Sequence, residues 1–237
     1  MTKRIVLIIL VLLTLIIGAG IFFAKPNLQT LGYKMANPGC QQNPNPVFTA
    51  DITDLSKVKH IVPPVTVQQS GVKTHSYLFT DTRVPVYAPA DAIFIEGAFY
   101  EEEGVGQYWL MFQTSCEVFF MFDHIKEPID SIKANFPETP AKDSRTKRVS
   151  NPVKFKAGEL IGYTTGTSHG VWDFGVYNTT KQNPFSDLEP DYKDSLRIAN
   201  AVCPYEYFFS DKKKIYFGLF QNTDGSEFNN PHNLCLE

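Results

Sequence analysis

The sequence predicts a mostly β domain with one short helix, set behind an N-terminal transmembrane helix. Three observations predict it. The first is aromatic excess: 19 Phe and 11 Tyr among 237 residues, side chains that favour strands over helices. The second is spacing. From about residue 74 onward, short apolar runs alternate with turn residues, the pattern of sandwiches and barrel-like domains. The third is an uncharged run from Ile5 to Phe23, whose only polar residue is Thr14.

At about 1.5 Å per residue, that run spans the ~30 Å hydrocarbon core of a bilayer as a helix. Lys3 and Arg4 precede it, which places the N-terminus in the cytoplasm and the rest of the chain outside. Residues 1–24 therefore read as a single-pass membrane anchor. The rival is a cleaved signal peptide, whose apolar region is usually about 7–15 residues long and is followed by a small-x-small site. Here Gly18-Ala19-Gly20 lies inside the apolar run.

Residues 25–70 read as an extended tether, rich in Pro, Asn and Gln ("ANPGCQQNPNPVF") and holding one helical turn at "DLSKV". Residues 71–180 read as the β-domain. Its strands are "HSYLF", "VPVYAP", "IFIEGAF", "QYWLMFQ", "CEVFFMFDHI", the pair in "VKFKAGELIGYT", and "HGVWDFGVYN". "KEPIDSIKANF" is the helix candidate, because Ile129, Ile132 and Phe136 recur at helical spacing. Residues 181–237 read as an irregular, disulfide-linked extension.

The cysteines are Cys40, Cys116, Cys203 and Cys235, with no C-x-x-C pair, so a zinc ribbon is excluded. An even number outside the cytoplasm points to disulfides, and three pairings are open. A net charge of -3 with only an isolated Lys212–Lys214 run argues against a nucleic-acid partner. No G-x-S-x-G is present, and Cys116 sits in an apolar run, as an inert or paired cysteine does rather than a nucleophile. "EEEG" at 101–104 reads as a solvated acidic hairpin tip. Asn178-Thr-Thr matches a glycosylation triplet.

Two phrases, "VPVYAPADAIF" and "VKFKAGELIGYTTGTS", resemble the barrel-sandwich hybrid shared by biotinyl and lipoyl carrier domains and by lysostaphin-type zinc metallopeptidases. A carrier needs a modifiable Lys at a hairpin tip, and none lies between the phrases. The peptidase resemblance covers roughly residues 72–178 in the right order. His75 resembles the family's first histidine, His124 the histidine of its middle motif, and "VWDFGV" its last strand, with Asp173 at a ligand histidine's position. Two positions depart from the pattern. The resemblance implies a ligand Asp four residues after the first histidine, where this chain has Phe79, and a catalytic histidine where it has Val171.

Catalytic zinc typically takes three protein ligands and keeps one position open for water, and the resemblance leaves only His75 and Asp173. His169 shares a face with Asp173 on a regular strand but lies about 13 Å away at ~3.3 Å per residue. Asp81, six residues after His75, is a second replacement candidate or an ordinary turn residue. Asp123 and His124 are adjacent and so are expected on opposite faces. A buried Asp173 needs a partner. Trp172 is expected to pack in the core, with a sugar-stacking platform as its functional alternative.

The resulting expectation is a degenerate peptidase-like domain with no cofactor. It would be a non-catalytic, membrane-anchored extracytoplasmic module that binds cell-wall glycan or peptide or an envelope protein, with His124, His169 and Trp172 as binding residues. The alternative is a zinc-dependent cell-wall peptidase with altered ligands, using His75 and Asp173 on the metal and His124 as general base.

Overall fold

A computed structural model describes residues 39–68 and 71–235. The apolar run Ile5–Phe23 and its expected anchor helix lie outside the described residues. Among the described residues, no helix is long and apolar enough to cross a membrane.

The protein is mostly β. Its main sheet is antiparallel and joins β1 (Val58–Val62), β4 (Ser76–Thr80), β12 (Val171–Asn178), β8 (Val118–Ile125), β7 (Val105–Gln113), β6 (Ala92–Glu102) and β10 (Lys147–Phe155) in that spatial order, with β13 (Ala201–Val202) added to β12. A small sheet orders β5 (Val84–Tyr87), β11 (Leu160–Thr164) and β9 (Glu127–Pro128), and β2 (Thr66–Gln68) pairs with β3 (Gly71–Lys73). Among the described residues, no sheet closes into a barrel. Three helices accompany the sheets among the described residues: α1 (Asp130–Lys133), α2 (Leu196–Ala199) and α3 (Ser210–Phe217). The expected helix at 126–136 shrinks to α1, because Glu127–Pro128 is taken up as β9 against Gly162 and Tyr163.

Strand alternation decides which residues fill the core. Leu78, Leu110, Phe112, Phe120, Phe122, Trp172, Phe174 and Val176 sit on one face of the main sheet and are buried with Val84, Val86 and Ile161 of the small sheet. The core therefore lies between two β layers and is built largely of rings. Phe112 stacks on Phe120 at 4.9 Å, and Phe122 on Phe174 at 5.2 Å. Gly162 allows the small sheet its close pairing, since a Cβ there would lie 2.5 Å from the Glu127 carbonyl oxygen.

The segment expected to be a tether belongs, from residue 39 onward, to this body. Phe48 and Ile52 are fully buried, Phe48 packs on Phe208 and Tyr207, and Val58–Val62 is an edge strand on β4. Its polar composition hid a few apolar residues that are enough to dock it. The expected turn at "DLSKV" is present as a single 3-10 turn, Leu55–Lys57, with the Asp54 side chain accepting from the Ser56 N–H.

The disulfides are Cys40–Cys116 and Cys203–Cys235. The first ties the N-terminal segment to the main sheet. The second closes the C-terminal extension, whose Tyr205 and Tyr216 stack at 4.9 Å within the core.

Asn178 is fully buried, and its Nδ2 donates to the Pro44 carbonyl at 2.7 Å and to Tyr207 Oη at 2.8 Å. The glycosylation triplet is thus structural, since the folded chain presents no free amide there. Asn178→Ala is expected to cost about 1–3 kcal/mol by stranding buried partners, measured by urea denaturation. An effect near zero would show that water replaces the amide.

Candidate functional site

The site lies on the opposite face of the main sheet, where β4, β12 and β8 run side by side. Asp173 pairs with Tyr77 on one side and Asp123 on the other. His75 precedes β4 and meets this face over Gly175, two residues beyond Asp173. A Cβ on Gly175 would lie 3.1 Å from the His75 Cβ, so a larger residue would push the imidazole off its seat.

Asp173 is the centre. It is only 2% exposed. Its Oδ2 lies 3.1 Å from His75 Nε2 and 3.6 Å from His124 Nε2. The partner required of a buried carboxylate is therefore a pair of imidazoles. Its second oxygen, Oδ1, is buried and accepts no hydrogen bond.

His124 reaches the site through a bulge. Tyr108 pairs with Ile125 and Leu110 with Phe122, so β8 carries one extra residue between these pairs. His124 has φ +61°, and its N–H donates to Asp123 Oδ1 at 2.7 Å. The expectation that Asp123 and His124 face opposite ways fails for this reason: the bulge breaks the alternation of a regular strand and turns both toward Asp173. Tyr100 Oη also donates to Asp123 Oδ1, at 2.8 Å. Thr164 Oγ1 donates to the His124 carbonyl at 2.5 Å, and Glu102 Oε2 stands 3.4 Å from His124 Nδ1.

Electrostatics separate the two acids. Burial pushes the Asp123 carboxyl up, to about 6; the His124 charge opposes the rise and the Asp173 charge adds to it. Burial works the same way on Asp173, but His75, by its charge and hydrogen bond, and then His124 carry that carboxyl below its ordinary value. Tyr77 and Tyr100 are raised by burial first and by the nearby carboxylates second.

Because the folded carboxyl of Asp123 is raised, its contribution to stability is full below about pH 4 and is lost as pH rises through about 6. Wild type is therefore expected to lose on the order of 1–2 kcal/mol relative to Asp123→Asn across that window. Chemical denaturation of both proteins at pH 4 and pH 7 measures this, and parallel curves would contradict it.

The other expected site residues are placed elsewhere. His169 is exposed in the loop before β12, beside Ser168, and does not join Asp173, because the strand begins only at Val171. Trp172 is fully buried on the core face, 6.1 Å from Phe122, so it offers no surface to a ligand. The pleat that turns Asp173 to the site turns Trp172 inward. Asp81 is an exposed turn residue in an ion pair with Lys59 at 2.5 Å. Phe79 and Val171 pair directly across β4 and β12, and Phe79 stacks on His60 at 4.1 Å.

Glu102, Asp123, Tyr77 and Tyr100 complete the site, and the sequence did not reveal them. Glu102 was concealed in an acidic hairpin tip. The only signal for Asp123 was its position beside His124.

The zinc-ligand set implied by the lysostaphin-type pattern does not fit these residues. Position 79, the ligand carboxylate of that pattern, carries a phenyl ring, and position 171, its catalytic histidine, an isopropyl group.

A scan against protein-family models and a search of curated proteins find no match. Solved structures similar to this chain include Csd3 of Helicobacter pylori, at TM-score 0.39 and 10% identity over 73% of this chain and 40% of that one. They also include the SpoIIQ–SpoIIIAH pore forming complex, at 0.36 and 10% over 71% of this chain and 90% of that one. The third is lysostaphin, at 0.33 and 16% over 56% of this chain and 50% of that one. The chain thus spans about two fifths of the length of Csd3. All three TM-scores lie below 0.5, so the reading of the site rests on its own geometry.

Proposed function

We propose that this chain is a non-catalytic module of peptidase-like fold, held outside the cytoplasm by an N-terminal membrane anchor, that binds an envelope protein or cell-wall material. The observation that supports this most is the Phe79–Val171 pair. These are the two positions at which the resembled family carries a ligand carboxylate and a catalytic histidine. Here they hold apolar side chains facing each other across two strands. Hydrolysis of an amide needs a polarised carbonyl and an activated water, and neither side chain offers a ligand or a base.

The competing reading is a zinc-dependent cell-wall peptidase with altered ligands, with His124 as its base. It draws on the convergence of His75, His124 and Asp173. Incubation of the full chain with purified peptidoglycan separates the two. Retention of the protein on the wall or on an envelope partner, with no release of fragments, is expected. Fragment release that disappears in His75→Ala would establish the peptidase instead. Failure to associate with wall and with envelope proteins alike would remove the binding role.

A further inference from the structure

We infer that Asp123, His124 and Asp173 form a site for one divalent transition-metal cation on a ligand set displaced from the family's own. One donor atom from each of these three residues lies within 4.8 Å of the others. Proximity of acids alone would not make a site. The second observation is Asp173 itself: 2% exposed, with its Oδ1 buried and without a hydrogen bond inside the cluster. A buried carboxylate oxygen left without a donor is costly, and a cation held by both oxygens of Asp173 removes that cost.

The surroundings fit ligand roles. Both hydrogen bonds to Asp123, from Tyr100 Oη and from the His124 N–H, fall on Oδ1, so its Oδ2 is left for a cation. His124 turns Nε2 toward Asp173, at 3.6 Å from Oδ2, and Nδ1 toward Glu102, at 3.4 Å. Nδ1 makes no hydrogen bond, and Glu102 stands within reach of it as the carboxylate that would fix a metal-ligating imidazole by accepting from its far nitrogen. Ligands held about 2.1 Å from a tetrahedral ion lie roughly 3.4 Å from one another. The His124 Nε2–Asp173 Oδ2 pair, at 3.6 Å, is already near that spacing, and the Asp123 donor lies within 4.8 Å of both.

One imidazole nitrogen and two carboxylate oxygens suit zinc or manganese. Magnesium and calcium prefer all-oxygen shells. Three protein ligands leave the ion a position open to a partner's carboxylate or to water. His75 stays on Asp173 Oδ2 and is not a ligand, which distinguishes this site from the one the resemblance implies.

The test uses the full-length chain, stripped with chelator and titrated with zinc chloride and with manganese chloride; magnesium chloride is the control. Uptake is read by calorimetry and metal analysis, and Tm is followed alongside. The expected result is about one zinc or manganese per chain with a raised Tm, and no such response to magnesium. Asp123→Asn and Glu102→Gln are expected to weaken uptake about 10–100-fold, whereas His75→Gln keeps one equivalent. Glu102 lies outside the core, so its variant tests the idea even if Asp123→Asn unfolds.

Wild type taking up no stoichiometric ion would overturn the site. So would loss of the ion in His75→Gln with retention in Asp123→Asn and Glu102→Gln, or an affinity that none of the three changes alters. Metal uptake and wall hydrolysis are separate readouts. Fragment release would sink the non-catalytic reading and leave the cation site intact, while absence of uptake would do the reverse.

Discussion

Trp172→Ala is expected to destabilise the protein by about 3–5 kcal/mol, the range for truncating a buried aromatic. Tm should fall by roughly 6–20 °C for a chain of this size. The indole is fully buried on the core face of β12, beside Phe122 and among the rings that join the two β layers. Removing it leaves a cavity that neighbouring strands cannot close without losing their register. Trp172→Phe keeps part of the contact and should cost clearly less. Urea denaturation of both variants gives the comparison. The conservative variant also tests the residue's role in binding. If folded Trp172→Phe associates with wall or partner as wild type does, the indole is packing alone. A selective loss of association would mean that the ring reaches a ligand, against its burial.

The second large effect is expected at Asp173. Asp173→Ala leaves His75 and His124 facing each other without the carboxylate between them. Removing one partner of a buried pair costs about 3–5 kcal/mol, and the partial exposure of both histidines argues for the lower end. The pH dependence gives the test its sign. The Asp173 carboxyl is held below its ordinary value, mainly by His75 working against burial. Its contribution is therefore present above the ordinary carboxylate range and is lost as pH falls through the lowered folded value. The stability gap between wild type and Asp173→Ala should be widest near neutrality and should narrow below about pH 4. A gap that stays constant from pH 3 to pH 7 would show that the loss is one of packing rather than charge.

Both effects follow from one strand, and the strand shows how much was legible. In "VWDFGVYN" the alternation of apolar and polar residues already assigns Trp172 to the core and Asp173 to the opposite face. The same local rule predicts the strands β5, β11 and β12 and the turns between them. It fails at β8. Adjacent residues on a regular strand diverge, yet Asp123 and His124 converge because one extra residue is accommodated between β8 and β7. A bulge is a property of two paired strands, so a reading of one strand cannot locate it.

The tether is a similar case. Its composition is that of a linker, but Phe48 and Ile52 find pockets supplied by residues about 160 positions later, where the Tyr216 hydroxyl receives the Ile52 N–H. Two buried side chains and an edge strand are enough to order a segment whose local propensity is weak.

The sequence by itself determined the β-rich class, the two faces of the last strand, the identity of the carboxylate that must be buried and paired, and the loss of acid and histidine at positions 79 and 171. These follow from short-range periodicity and from the chemistry of single residues. Only the tertiary structure decided which cysteines pair, that residues 39–68 join the body, and that Asp123, His124 and Glu102 gather around Asp173. Each of these depends on bringing together segments far apart in the chain, and that is set by the balance of burial and hydrogen bonding across the whole fold.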